Sequence, residues 1–105
     1  MRPKPGEVYL VDLGMVAKVR PMVVVSRDDP NRPRALALCV PFTTQNRGSR
    51  YEIPMGKPKY LAQESWANVQ GLVAVGIEKL SRRIGSLPAR QLDEVRQALR
   101  FALEL

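Results

Sequence analysis

Short apolar runs alternate with polar, turn-rich segments along the chain, and this pattern predicts a fold built mainly of β-strands. Runs rich in β-branched residues fit a pleated, buried surface, so each run is interpreted as a strand. The predicted strands are residues 6–13, 20–26, 35–42, 51–54, 64–69, 72–77 and 80–87. Short strands separated by turns favour a small barrel or a strongly bent sheet, here in a single domain of residues 1–105.

Side-chain alternation within the first and third strands predicts which residues face the core, because successive side chains point to opposite faces. In the third strand, Leu36, Leu38 and Val40 share one face. The residues expected to point inward from the first strand are Val8, Leu10, Val11 and Leu13. The short connection over residues 14–19 predicts that the first two strands are antiparallel neighbours.

One amphipathic helix is predicted to follow the last strand. Pro88 suits the first helical position, where its missing N–H would be unpaired in any case, and Ser86 is the expected cap. Apolar residues at helical spacing follow at Leu92, Val95, Leu99, Ala102 and Leu103. The helix is therefore predicted to cover a core and to carry no chemistry.

The composition is that of a globular protein with a strong excess of basic residues. No apolar run approaches the roughly 20 residues of a membrane span, and the first residues do not have the pattern of a secretory signal. The single cysteine, Cys39, is expected to be a core residue, which is typical of a reducing cytoplasm. A net charge of +7 predicts an anionic partner, either nucleic acid or an acidic protein segment, although a basic surface that serves only solubility gives the same count.

The chain contains no histidine, and this excludes several classes of catalysis. Ribonuclease chemistry with a histidine pair, Ser-His-Asp and Cys-His sites, and almost every zinc site need an imidazole. A glycine-rich phosphate loop of the Walker type is also missing from the sequence. Any catalysis is therefore expected to use arginine, lysine, hydroxyl, carboxylate and amide groups, with no metal and no cofactor.

Two polar segments at strand ends are the candidates for chemistry. Pro21 is tolerated at the first residue of a strand and restricts Arg20 to extended backbone angles, which gives this arginine a fixed starting direction. If the second and third strands are neighbours, Arg20 shares one rim of the barrel with Thr43, and the groove fits RNA. The residues expected to bind RNA there are Thr44, Gln45, Asn46, Arg47 and Arg50. Taken separately, Arg20 is equally a surface arginine, and residues 43–46 are equally an ordinary polar loop.

Three blocks of sequence together resemble the MazF/PemK family of toxins. These blocks are residues 6–13, 20–26 and 39–45, and the likeness continues through residues 68–70 and 80–81 to the C-terminal helix. The resemblance implies an SH3-like barrel that forms a homodimer in the cytoplasm. It also implies a type II toxin–antitoxin system with a MazE-like antitoxin, whose acidic tail covers the RNA groove.

The resemblance further implies an activity, because the family consists of sequence-specific endoribonucleases that cleave single-stranded mRNA. The arginine of the family's Arg-Pro pair falls on Arg20, and its catalytic threonine falls on Thr43. In an attack by the ribose 2′-OH, Arg20 is expected to stabilise the phosphorane and donate to the leaving oxygen, and Thr43 to hold a phosphate oxygen. Gln70 matches a glutamine of the family and is expected to bind RNA.

The chain departs from the family at two places. Residues 14–19 form a short loop without the carboxylate that many members carry, and Val69 stands where the PemK branch has an acidic residue. The general base is therefore unassigned. Two alternatives stay open: a non-catalytic inhibitor of the CcdB kind that binds a protein such as DNA gyrase, and an RNA-binding module without cleavage. Trp66 and three scattered tyrosines do not form an evident stacking platform, which disfavours the second alternative.

Overall fold

A computed structural model describes residues 1–14 and 19–105. Residues 15–18, which form most of the connection between the first two predicted strands, lie outside the described residues. The predicted antiparallel pairing of those two strands is confirmed. The described chain forms seven strands and one α-helix. Their bounds are β1 Glu7–Val11, β2 Arg20–Val24, β3 Leu36–Thr43, β4 Glu52–Gly56, β5 Ser65–Asn68, β6 Val73–Gly76, β7 Leu80–Ser86 and α1 Ala89–Leu103.

All strand pairs of the described residues are antiparallel, and the sheet runs in the order β4-β5-β3-β2-β1-β7. Strand β3 changes its partner along one edge, because its first half pairs with β6 and its last two residues pair with β5. Within residues 1–14 and 19–105, β7 does not pair with β4 or β6, so the sheet is open and barrel-like. The prediction of a mainly β fold with a C-terminal helix is confirmed.

Apolar clusters cover both faces of the central strands. Val8 belongs to the cluster beneath α1, together with Val23, Val40 and Val95. The next residue, Tyr9, belongs to a second cluster whose other members come from β1, β2, β3, β6 and β7. Because neighbouring residues of a strand point to opposite faces, both faces of these strands are buried. This explains why the run over residues 22–25 is apolar without interruption.

The predicted inward faces are only partly correct. Val8 and Val11 are buried and Leu10 is half-buried, but Leu13 is exposed because it lies beyond the end of β1. In β3, Leu36, Leu38 and Val40 lie on one face, as the alternation predicts. However, Leu36 and Leu38 are 43% and 44% exposed, since the cluster beneath α1 ends at Val40.

The helix begins at Ala89, one residue after the predicted start, and its expected cap is wrong. Pro88 occupies the N-cap position, and no side chain caps this end of the helix. The Ser86 hydroxyl instead accepts a hydrogen bond of 2.9 Å from Arg83 Nη2. The buried helix residues Val95 and Ala98 pack on the sheet. None of the helices in the described chain is long and apolar enough to cross a membrane.

Candidate active site

The pairing of β2 with β3 brings the two candidate polar segments together. Met22 lies opposite Pro41, and continuing this antiparallel register by two residues places Arg20 opposite Thr43. The expectation that these strands are neighbours, with Arg20 and Thr43 at one rim, is confirmed.

A cleft of about 420 Å³ opens at this rim and is called the Arg20 cleft below. Its lining residues are Arg20, Pro21, Phe42, Thr43, Thr44, Gln45 and Ser65. Arg20 is exposed and forms no ion pair with the carboxylates of the described chain. With respect to the described residues, its planar guanidinium is therefore free to make two parallel hydrogen bonds to one phosphate group.

The hydroxyl of Thr43 is held in a fixed position. The backbone N–H of Gln45 donates to Thr43 Oγ1 over 3.1 Å. This contact uses a lone pair of the oxygen and leaves the hydroxyl proton available for an acceptor in the cleft. The hydrogen bond that Thr43 Oγ1 accepts also polarises the hydroxyl, and this makes the hydroxyl a better donor to an anionic oxygen.

The loop after Thr43 is ordered by its own side chains. Asn46 Oδ1 accepts a hydrogen bond of 2.8 Å from the N–H of Gly48, whose φ of 69° suits a glycine. Arg47 Nη2 donates to Gln45 Oε1 over 3.4 Å, which keeps this guanidinium beside the Arg20 cleft. Asn46 and Arg47 are therefore near the cleft but do not line it.

Glu52 anchors the far end of this loop. Its Oε1 accepts hydrogen bonds from the backbone N–H groups of Arg47, at 3.0 Å, and Ser49, at 3.2 Å. Desolvation raises the pKa of Glu52, but the hydrogen bonds from Ser49 and Arg47 outweigh it, so the pKa lies below its ordinary value. The carboxylate is thus ionised, and it holds the loop, at neutral pH.

Two of the predicted RNA-binding residues lie elsewhere. The Arg50 guanidinium stacks 3.8 Å from the centre of the Phe101 ring on α1, so it is directed to the helix. Gln70 is exposed in a short 3₁₀ turn after β5, where its N–H donates to Asn68 Oδ1 over 3.2 Å. Neither residue lines the Arg20 cleft, and their roles in binding RNA remain predictions.

The structure adds one residue that the sequence did not single out. Ser65 is only 5% exposed, lines the cleft, and donates its hydroxyl proton to the carbonyl of Gln63 over 3.0 Å. Its one signal in the sequence was a small polar residue at the start of a predicted strand. The described residues that line the cleft include no carboxylate. The described chain also has no group of three or more Asp, Glu or Cys side chains placed to hold a metal.

Comparison with known proteins identifies the family. The profile of a family described as PemK-like, MazF-like toxin of type II toxin–antitoxin system matches residues 4–103. The chain belongs to this toxin family. The endoribonuclease MazF1 of Mycobacterium bovis is 30% identical, in an alignment that covers 98% of this chain and 94% of that protein. The endoribonuclease MazF6 of Mycobacterium tuberculosis is 29% identical, with 95% and 96% covered.

Solved structures of toxin endoribonucleases agree with the fold. A mycobacterial endoribonuclease in complex with its cognate antitoxin has a TM-score of 0.84 and 28% identity, with 98% of this chain and 96% of that chain covered. A second mycobacterial endoribonuclease has a TM-score of 0.83 and 27% identity, with 100% and 94% covered. The resemblance expected from the sequence is thus confirmed, and an endoribonuclease of the MazF/PemK family is favoured over a protein-binding inhibitor.

Proposed function

We propose that this MazF/PemK family toxin cleaves single-stranded RNA in the cytoplasm, and that the Arg20 cleft is its active site. The observation that carries the proposal is that Arg20 and Thr43, from neighbouring antiparallel strands, line one cleft. Both side chains have donors free for a phosphate group. The family and the relatives named as endoribonucleases support the reaction class.

The main requirement of the reaction is to stabilise the negative charge that develops on the oxygens around phosphorus. The ribose 2′-OH gives its proton to solvent as its oxygen attacks the adjacent phosphorus, and a pentavalent phosphorane forms. The bond to the 5′-oxygen of the next nucleotide then breaks, and that oxygen takes a proton from solvent to become a 5′-hydroxyl. Arg20 binds the non-bridging oxygens and donates a hydrogen bond to the departing 5′-oxygen. Thr43 donates its hydroxyl proton to another non-bridging oxygen. One donor aimed at developing charge is worth roughly 10²–10³ in rate.

The remaining groups of the cleft position the chain of nucleotides. Thr44 and Gln45 offer a hydroxyl and an amide beside the phosphate, and Arg47 adds a positive charge at the rim. Phosphate contacts of this kind fix the register of the RNA, whereas contacts to base edges select its sequence. Because the described lining lacks a carboxylate, the proposal rests on positioning and charge stabilisation.

The chemistry of the products tests the mechanism directly. A long RNA is digested, the cleaved sites are mapped, and one site is synthesised as an oligonucleotide with or without a 2′-deoxy sugar on the 5′ side of the cleaved bond. We expect a 2′,3′-cyclic phosphate and a 5′-hydroxyl from the all-ribose substrate, and no cleavage of the deoxy substrate. Equal cleavage of both would refute the attack by the 2′-oxygen.

We further propose that an acidic antitoxin segment inhibits the protein by covering the Arg20 cleft. A relative 28% identical to this chain is described in complex with its cognate antitoxin, and the net charge of +7 favours an acidic partner. A cognate antitoxin is expected to compete with RNA for the cleft, with an affinity that falls as salt rises. A cognate antitoxin that inhibits cleavage by the wild type without displacing RNA from it would contradict this proposal.

A homodimer is also proposed, through an apolar groove of about 240 Å³ beside the end of α1. Leu38, Leu103 and Leu105 line this groove and are among the exposed large apolar residues. A second copy that covered them would remove this apolar surface from water. Analytical ultracentrifugation is expected to show a dimer for the wild type and a monomer for Leu38→Asp, with Leu13→Asp as the matched exposed control. A dimer that both variants retain would place the interface elsewhere.

A further inference from the structure

A second cavity adjoins the Arg20 cleft and differs from it in chemistry. This apolar cavity has a volume of about 310 Å³ and shares Pro21, Thr44 and Ser65 with the cleft. The two spaces therefore meet along a common wall. A phosphodiester bound at Arg20 carries nucleotides on both sides, so the base of an adjoining nucleotide is a group that can reach the second space.

The walls of the apolar cavity suit a flat, uncharged group. Leu10, Leu61 and Ile84 supply aliphatic surface, and Tyr60 supplies an aromatic ring. None of the described residues that line the cavity carries a full charge at neutral pH, and burial raises the pKa of Tyr60 above its ordinary value. The cavity is thus poorly suited to a phosphate group and well suited to the face of a base, which stacks on aromatic side chains.

The aromatic wall is held in place before any ligand binds. The Tyr60 ring lies on the backbone of Gly85 in β7, where a built Cβ would collide with ring atoms. The neighbouring Leu61 is buried, and its N–H donates to the carbonyl of Pro58 over 2.9 Å. A wall that is ordered in advance lowers the entropic cost of binding.

Polar groups at the rim are few and placed to read an edge of the ligand. Gln63 is exposed beside the cavity, and its amide offers both a donor and an acceptor. Ser65 Oγ already donates to the carbonyl of Gln63, which leaves lone pairs of its oxygen free to accept. Amide side chains commonly bind the edges of unstacked bases in RNA.

We propose that the apolar cavity binds the base of a nucleotide next to the cleaved bond, with Tyr60 as its stacking wall and Gln63 as a specificity-determining residue. This inference rests on the proposed function of the Arg20 cleft. The proposal assigns the base preference at one position of the RNA to residues 60–65. This segment lies after β4 and ends at the first residue of β5.

The test combines enzyme variants with abasic substrates. At a mapped cleavage site, each flanking base in turn is replaced by an abasic ribose, and kcat/KM is measured. Wild-type protein is expected to lose about 5- to 100-fold at one position next to the cleaved bond, the range for one stacked base. In Tyr60→Leu, the loss of kcat/KM caused by the same abasic substitution is expected to be at least about fivefold smaller, because the base no longer stacks on the tyrosine ring.

Cleavage of a randomised RNA pool then tests Gln63, whose exposed position lets Gln63→Ala keep the fold. The variant is expected to relax base preference at that same position only. Gln97→Ala, an identical change on α1, is expected to keep the wild-type preference. Wild-type cleavage with unchanged abasic losses and unchanged preference in Tyr60→Leu and Gln63→Ala would overturn the base site and leave the proposed function standing. Failure of the wild type to cleave any RNA would overturn both.

Discussion

Replacing Thr43 by valine separates the chemistry of the Arg20 cleft from its stability. The change keeps the branched shape and removes the hydroxyl, whose oxygen accepts the Gln45 N–H over 3.1 Å. Because Gln45 is exposed, water can satisfy its freed N–H, so the free energy of unfolding is expected to fall by only about 0.5–1.5 kcal/mol. If the hydroxyl binds the phosphorane, kcat is expected to fall by about 10²–10³, which is about 2.7–4 kcal/mol.

Single-turnover cleavage of a mapped oligonucleotide measures the rate, and urea unfolding measures the stability. Thr43→Ser keeps the hydroxyl and is the matched control, expected to retain activity within about tenfold. A Thr43→Val variant that cleaves within about threefold of the wild type would refute the role of the hydroxyl. Equal losses in both variants would show that the site needs the methyl group as well as the hydroxyl, and would contradict the assignment of the loss to the hydroxyl alone.

Three further predictions concern the core and the loop. Val23→Ala, at a position with 0% exposure, is expected to cost about 2–3 kcal/mol in urea unfolding, whereas Val19→Ala at 48% exposure costs under about 0.5 kcal/mol; equal costs would contradict the packing. Burial raises the pKa of Cys39 to about 11, so Ellman's reagent is expected to label the thiol only as the protein opens, and immediate labelling of folded protein would contradict this. Because the pKa of Glu52 is lowered, this carboxylate stabilises the fold fully above pH 4.5, its ordinary pKa, and the stabilisation is lost as the pH falls through the lowered pKa. The difference in stability between the wild type and Glu52→Ala is therefore expected to shrink in acid. A difference that does not depend on pH would contradict the role of the hydrogen bonds.

Local pattern was sufficient to predict the strands, and it placed Arg20 and Thr43 at one rim on the condition that the second and third strands are neighbours, which their pairing satisfies. The apolar run over residues 22–25 identifies a strand buried on both faces, and a proline at residue 21 marks its beginning. A short connection then makes β1 and β2 antiparallel neighbours. These features depend on residues close together in the chain, where side-chain period and turn chemistry decide the structure.

Features that depend on distant residues were less predictable. Arg50 is close in sequence to Arg47, but the loop turns at Gly48 and Arg50 instead meets Phe101. The exposure of Leu38 follows from how far the cluster beneath α1 extends, which alternation cannot show. Ser65 enters the cleft because β5 pairs with the last residues of β3. Each depends on a tertiary contact that overrides the local pattern.

The most direct test of the central claim is RNA cleavage in EDTA by the wild type, Arg20→Ala and Arg90→Ala. Arg90 is an exposed arginine at the start of α1, so its variant controls for the loss of one positive charge. The account predicts discrete fragments from the wild type and Arg90→Ala, and a rate lower by at least about 10² for Arg20→Ala with its fold intact. Equal cleavage by Arg20→Ala would contradict the assignment of the active site, and intact RNA with every protein would contradict the proposed activity.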